Sequence, residues 1–282
     1  VVQEEGVRGL ACTVEIISVG NELLIGKIAN TNAQWMARKI TSLSGNVRRI
    51  VDIGDDLQEI STAVKEALAR RPTLLLITGG LGPTFDDMTL EGLAEAFNIP
   101  LRIDPEAERM VRARYERYEA ETGRKIEMTP ERLKMAKLPE GSRPIRNPAG
   151  TAPGVVLQHG STTIVALPGV PREMEAIFEE FVEPMVKKAV GNLHFYAKSL
   201  EAIGVIESEL APLIEKTMRE NPRVYIKSHP KAPEPRPLIE LHFSTTSEHL
   251  ELAEEEVEKA ARMLTQLVVE HKGSIREVAE EG

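Results

Sequence analysis

The segment Thr78-Gly79-Gly80-Leu81-Gly82-Pro83-Thr84-Phe85-Asp86-Asp87-Met88-Thr89 concentrates the chemistry of this sequence. Three glycines among four residues leave the backbone bare, so successive N–H groups can turn toward one anion, and a following helix adds the partial positive charge of its N-terminus. Thr78, Gly79, Gly80, Gly82, Pro83 and Thr84 are therefore candidate contacts to a phosphate, the alternative being a tight strand-to-helix turn. Asp86 and Asp87 would repel that phosphate unless a cation stood between them. Hard oxygen ligands of this kind suit Mg²⁺ or Mn²⁺. No softer metal set competes, because the six histidines are scattered without ligand spacing, as structural or solvated histidines are. The bland role for the two aspartates is to cap the next helix.

Five other segments carry residues of matching chemistry. Gly20-Asn21-Glu22-Leu23-Leu24-Ile25-Gly26 does not fit the dinucleotide fingerprint Gly-x-Gly-x-x-Gly, which excludes a Rossmann reading. It does supply Gly20, and Glu22 as a candidate water-orienting base. Asn30 and Asn32 bring amides able to read a base or sugar, or else cap a helix. Asp55 and Asp56 lie just after an apolar run, either beside the Gly-rich turn or capping the helix from Leu57. The stretches Asn147 to Gly154 and Leu167 to Met174 contribute Gly150, Thr151, Pro168, Gly169 and Pro171, which in isolation would be turns and together could wall one crevice.

These residues need a scaffold that brings loop ends together, and the apolar periodicity supplies one. Val14 to Val19, Asn46 to Ile53 and Thr73 to Thr78 read as strands. Asn30 to Leu43, with Ala33, Met36, Ala37, Ile40 and Leu43 on one stripe, and Leu57 to Ala69 read as helices. Strands alternating with helices imply an α/β domain of three layers, a mostly parallel sheet covered on both faces, with ligands at the carboxyl ends of its strands. Asp104 and Pro105 cap and open a mostly polar helix reaching Thr122, exposed or in contact with another subunit. Val155 to Gln158 and Thr162 to Leu167 form a hairpin expected at a sheet edge, and Pro171 opens a helix burying Met174, Ile177, Phe178, Phe181 and Val182. Beyond Asn192 the order strand, helix, strand, proline-rich turn (Pro230 to Pro237), strand and long helix describes a second, small α+β module. The division is then 13–189 and 192–271, with tails at 1–12 and 272–282.

With 282 residues, 41% of them hydrophobic and only 4% aromatic, the chain has enough aliphatic material for two ordinary cores without disulfides. Its 35 Lys and Arg against 44 Asp and Glu leave a net charge of −9, which argues against a protein that coats nucleic acid or an anionic membrane. A lone cysteine, Cys12, and the lack of a long apolar run or a basic, apolar leader fit a cytoplasmic protein.

In order and spacing, GNELLIGKIANTN, TGGLGPTFDDMT, NPAGTAPG and LPGVPREM resemble the CinA-like (competence-damage-inducible) proteins, whose molybdopterin-binding domain is related to MoaB and MogA. The later module resembles that family's KH-like domain, with Gly204-Val205-Ile206-Glu207-Ser208 a looser match. The chain ends too early for the nicotinamide mononucleotide deamidase domain of longer members, so deamidase activity is not expected. The resemblance implies the three-layer MoaB/MogA-like fold. For the CinA-like branch it implies a metal-dependent pyrophosphatase that splits ADP-ribose into AMP and ribose 5-phosphate, with Mg²⁺, Mn²⁺ or Co²⁺ as cofactor. On that expectation the Gly79 to Gly82 amides hold the diphosphate, Asp86 and Asp87 the cation, Asp87, Asp55 and Glu22 act in catalysis, and Asn30, Asn32 and the Pro168 to Pro171 loop contact ribose or adenine. The expected partners are a small nucleotide and a second copy of the chain, a dimer. The alternatives are a protein of molybdenum cofactor biosynthesis that binds or adenylylates molybdopterin, for which the resemblance again marks Asp55 and Asp87, and a non-catalytic nucleotide-binding adaptor. RNA binding is not expected, because no Gly-x-x-Gly loop occurs between Asn192 and Glu270.

Overall fold

A computed structural model describes residues 12–232 and 237–278. The expected N-terminal tail before Cys12, the end of the C-terminal one and part of the proline-rich turn lie outside them. The described chain divides into two compact units that meet in sequence at Val190 and Gly191.

The larger unit runs β1 (Thr13–Val19), α1 (Asn21–Leu24), α2 (Thr31–Ser42), β2 (Asn46–Ile53), α3 (Leu57–Ala69), β3 (Leu74–Thr78), α4 (Thr89–Phe97), β4 (Leu101–Ile103), α5 (Pro105–Thr122), α6 (Pro130–Lys134), β5 (Lys137–Pro139), β6 (Arg143–Ile145), β7 (Gly154–His159), β8 (Thr162–Leu167), α7 (Pro171–Ile177), a π-helical turn (Phe178–Val182) and α8 (Glu183–Val190). Its sheet has the order β2-β1-β3-β8-β7-β6. The first four strands are mutually parallel, while β7 and β6 each pair antiparallel with the strand before them in that order. Because strand side chains alternate, Ile17, Val19, Leu75, Ile77, Ile164 and Ala166 face one core with Ile60 and Val64 of α3 and Leu90 and Leu93 of α4. Ile16, Leu74, Leu76 and Val165, equally buried, face the other side, where α2 contacts β1 and α7 contacts β8. Three layers and a mostly parallel sheet result, as the sequence predicts.

Local details depart from the periodicity. The β7–β8 hairpin is not at the sheet edge, because β6 pairs outside it. Arg143-Pro144-Ile145 had no strand signature, and proline is tolerated there because β6 is itself an edge. The helix from Pro171 is not continuous. Its widened turn keeps Phe178, Val182, Val186 and Val190 buried at a spacing of four and leaves Phe181 only half-buried. Asp104 does cap α5, accepting from Glu106 N and Ala107 N, and Ala107 and Val111 are that helix's buried residues.

Cys12 is 2% exposed, and burial pushes its thiol up to about 11. The thiolate is the reactive form, so an alkylating reagent at pH 8 should label the native protein negligibly and the denatured protein stoichiometrically. Rapid native labelling, counted by mass spectrometry, would contradict this burial.

The smaller unit contains β9 (His194–Ile203), α9 (Glu207–Glu220), β10 (Tyr225–Ala232), β11 (Leu238–Ser247), α10 (Leu250–Glu270) and β12 (Ser274–Glu277), with strand order β10-β11-β9-β12, antiparallel throughout. Leu241 and Phe243 of β11, Leu210 and Ile214 of α9, and Val257 and Leu264 of α10 form its core. Residues 274–277, expected as tail, are a strand paired with β9. No described helix is long and apolar enough to cross a membrane.

Candidate functional site

The strand order reverses at β1, with β2 on one side and β3 on the other. In an open parallel sheet such a switch point leaves a crevice outside the carboxyl ends of the strands. Here the loops after β1, β2, β3 and β8 surround a crevice of about 700 Å³. Gly20, Glu22, Asp55, Gly79, Gly80, Gly82, Pro83, Thr84, Asp86, Asp87, Thr151, Pro168, Gly169 and Pro171 line it.

The Gly-rich loop is held from both sides. Gly79 N donates to Leu167 O at 3.0 Å, Thr89 Oγ1 donates to Gly79 O at 2.7 Å, and Thr89 N donates to Gly80 O at 3.2 Å. Gly79 (φ 102°) and Gly80 (φ 65°) adopt left-handed backbone, the conformation glycine permits. The N–H groups of Gly80, Leu81 and Gly82 make no hydrogen bond among the described residues. Unpaired amides in a row are what an anion requires. The amide of Gly79 is not among them, because Leu167 already engages it.

Neither Asp86 nor Asp87 caps α4, whose N-cap is Met88 without a side-chain bond. Asp87 Oδ2 instead accepts from Thr84 N at 2.7 Å and from the Thr84 hydroxyl, which also donates to Asp86 Oδ1 at 2.5 Å. That bond, with Lys134 more distantly, lowers the Asp86 carboxyl below its ordinary range. Asp56 takes the capping role on α3, accepting from Gln58 N and Glu59 N at 2.9 Å. Asp55 turns to the crevice, where it accepts from Asn21 N at 2.8 Å. Desolvation raises its carboxyl despite that bond, and the neighbouring charges of Glu22, Asp86 and Asp87 raise it further.

Three crevice carboxylates each fold over a glycine. A Cβ on Gly20 would stand 2.6 Å from the Glu22 carboxylate, one on Gly82 2.6 Å from that of Asp87, and one on Gly150 1.9 Å from Cδ of Glu173. The missing side chains are what let the acids lie flat against the backbone.

Four expected contacts do not line the crevice. Asn30 caps α2 through Ala33 N (2.9 Å) and donates to Ser18 Oγ (2.8 Å) and Asp52 Oδ1 (2.5 Å), tying β1 to β2. Asn32 donates to Gly169 O at 2.8 Å, and Thr78, 2% exposed, donates to Pro168 O at 2.9 Å. Gly150 donates to Asn147 Oδ1 at 2.8 Å. These residues position the crevice loops. Val170, inside the expected Pro168 to Pro171 loop, lines the crevice, as do Tyr115, Met135 and Glu173, which were not expected as contacts. For Glu173 a signal existed in its motif Pro-Gly-Val-Pro-Arg-Glu. Tyr115 and Met135 arrive from α5 and the end of α6, which no local pattern announces.

Fold and crevice together define a three-layer α/β domain with a row of unpaired backbone amides at its switch point. Residues 15–188 match the family model described as "probable molybdopterin binding domain", and the chain belongs to that family. A protein of Pyrobaculum arsenaticum is 45% identical over 260 residues, 92% of this chain and 96% of its own length. One of Metallosphaera sedula is 42% identical over 267 residues, 94% and 98% of the two chains. Among solved structures, the CinA protein of unknown function from Thermoplasma acidophilum is 43% identical with a TM-score of 0.56, covering 61% of this chain and 98% of that one. These matches overturn the expected ADP-ribose pyrophosphatase. The family model is described as a probable molybdopterin binding domain, the solved relative has unknown function, and neither points to ADP-ribose hydrolysis.

Proposed function

We propose that the larger unit binds molybdopterin, with its phosphate on the amides of Gly80, Leu81 and Gly82. The observation that carries this reading is the row of three unpaired N–H groups beside Gly79, in a family described by molybdopterin binding. Pterin rings are flat and apolar on their faces, and Val170, Pro171, Ala152 and Met135 give the crevice apolar surface to receive one. The test is direct. Protein mixed anaerobically with molybdopterin and passed through a gel-filtration column should retain about one pterin per chain, read by fluorescence after oxidation, and excess pyrophosphate should displace it. A column fraction free of pterin would overturn the reading.

A second reading, adenylylation of molybdopterin, is favoured by the carboxylates of Glu22, Asp55, Asp86 and Asp87 around the same cradle. In it the molybdopterin phosphate oxygen attacks the α-phosphorus of ATP and pyrophosphate leaves. Among the described residues no group of three or more His, Cys, Asp or Glu could hold a metal by itself. Asp86 and Asp87 therefore fit Mg²⁺, Mn²⁺ or Co²⁺ as partial ligands, with phosphate oxygens and water completing the shell, the usual arrangement for Mg²⁺. When bound, such a cation neutralises phosphate charge. Release of pyrophosphate that depends on molybdopterin, ATP and the cation together would distinguish this reading from binding alone.

A further inference from the structure

We propose that Glu173 recognises the donor edge of the bound heterocycle, the adjacent ring N–H and exocyclic amino group of a pterin. The inference rests on the molybdopterin reading above and assigns the residue that selects the ring.

Glu173 lies in the crevice wall two residues after Pro171 and is half-buried. Its position is fixed by the loop before β7. Asn147 Nδ2 donates to Glu173 Oε2 at 2.7 Å and to Ala152 O at 2.8 Å, while Asn147 Oδ1 accepts from Ala149 N at 3.1 Å and Gly150 N at 2.8 Å. Four bonds determine the asparagine, and the asparagine determines the carboxylate. Gly150 closes the clamp, since any side chain there would overlap Glu173.

The clamp leaves Oε1 without a hydrogen bond, and Glu173 makes no ion pair among the described residues. A half-buried carboxylate without a counter-ion calls for donors. It cannot be there for phosphate, which it would repel. Strands β3 and β8 are neighbours, and a Cβ on Gly169 would come 3.3 Å from Gly79 Cα, so the loop that leads into α7, whose first turn carries Glu173, runs beside the phosphate cradle. Glu173 and the cradle line the same crevice, so on this proposal a ligand with its phosphate on the cradle places its ring at Glu173. A pterin's N3–H and 2-amino group form a side-by-side donor pair that matches a carboxylate. Adenine has no such pair, because its ring nitrogen beside the amino group is an acceptor.

The clamp makes Glu173→Gln an informative variant. Asn147 Nδ2 donates, so the glutamine carbonyl must face it, and the glutamine NH₂ then faces the crevice, donor against donor. With neopterin monophosphate followed by pterin fluorescence and pyrophosphate followed by calorimetry, the ratio of the two affinities should fall about 30-fold in Glu173→Gln. Glu173→Asp, which keeps the charge, should recover part of the loss. An unchanged ratio while the wild type binds neopterin monophosphate overturns this inference and leaves the molybdopterin reading standing. Wild-type protein that binds pyrophosphate but no neopterin monophosphate overturns both. A comparison needing no variant guards against misfolding. The wild type should prefer neopterin monophosphate at least about tenfold over its lumazine counterpart, in which oxo replaces the 2-amino group, and equal affinities would refute the role of Glu173.

Discussion

Gly79→Ala is expected to destabilise the larger unit by about 4 kcal/mol, the sum of a strained left-handed alanine and an overpacked core site. A Cβ there would stand 2.2 Å from Val19 O, a backbone atom of the neighbouring strand, at φ 102°. Neither partner can rotate away, because Gly79 N and Gly79 O are both tied down. Gly26→Ala provides the control. Gly26 has φ 68° with nothing within 4 Å of the Cβ position, so only the backbone term of about 1 kcal/mol remains. Trp35, the sole tryptophan, packs edge-on against Phe178 and makes its fluorescence a reporter for this unit in urea. Equal midpoints for the two variants would show that the approach of β1 to the Gly-rich loop does not matter.

Arg70→Met should cost about 3 kcal/mol, and the double change with Glu15→Leu should restore most of it. Glu15 is 4% exposed within β1 and accepts from Arg70 Nε at 2.8 Å and Nη2 at 2.7 Å. Removing the guanidinium strands a buried carboxylate, whereas replacing both partners by apolar groups removes the penalty. A double variant no more stable than Arg70→Met would show that the stranded charge is not what destabilises the single one. The same urea titration reads both.

Glu15 shows where the sequence is legible and where it is not. The run Val-Glu-Ile-Ile-Ser-Val identifies a buried strand despite its glutamate, because the burial of its four apolar residues outweighs one charge that finds a partner. That partner sits 55 residues away, at the end of α3, and nothing local names it. The alternation of strands and helices likewise gives the three layers, and the glycines give the left-handed turn with its unpaired amides, since both depend on short-range backbone chemistry. The asparagines divide the other way. Asn30 carries equal signals for capping and for ligand contact, and the choice is made by Ser18 and Asp52, which the sheet brings to it. The motif Pro-Gly-Val-Pro-Arg-Glu puts Glu173 near the crevice, but what holds its carboxylate is Asn147, 26 residues earlier, which nothing local names. Strand β12 has only Ile275 as an apolar residue and exists because β9 offers it an edge.

The anchoring of Gly79 also bears on how a ligand would be received. Its N–H is bound to the end of β8 and its carbonyl to the first residue of α4, so the three amides that follow leave a point fixed to the sheet and to a helix. The entropy of arranging those donors is lost when the chain folds, not when an anion arrives. Association with the cradle should then proceed with little rearrangement of the main chain, and the selectivity of the crevice rests on the shape and hydrogen-bond pattern it already has.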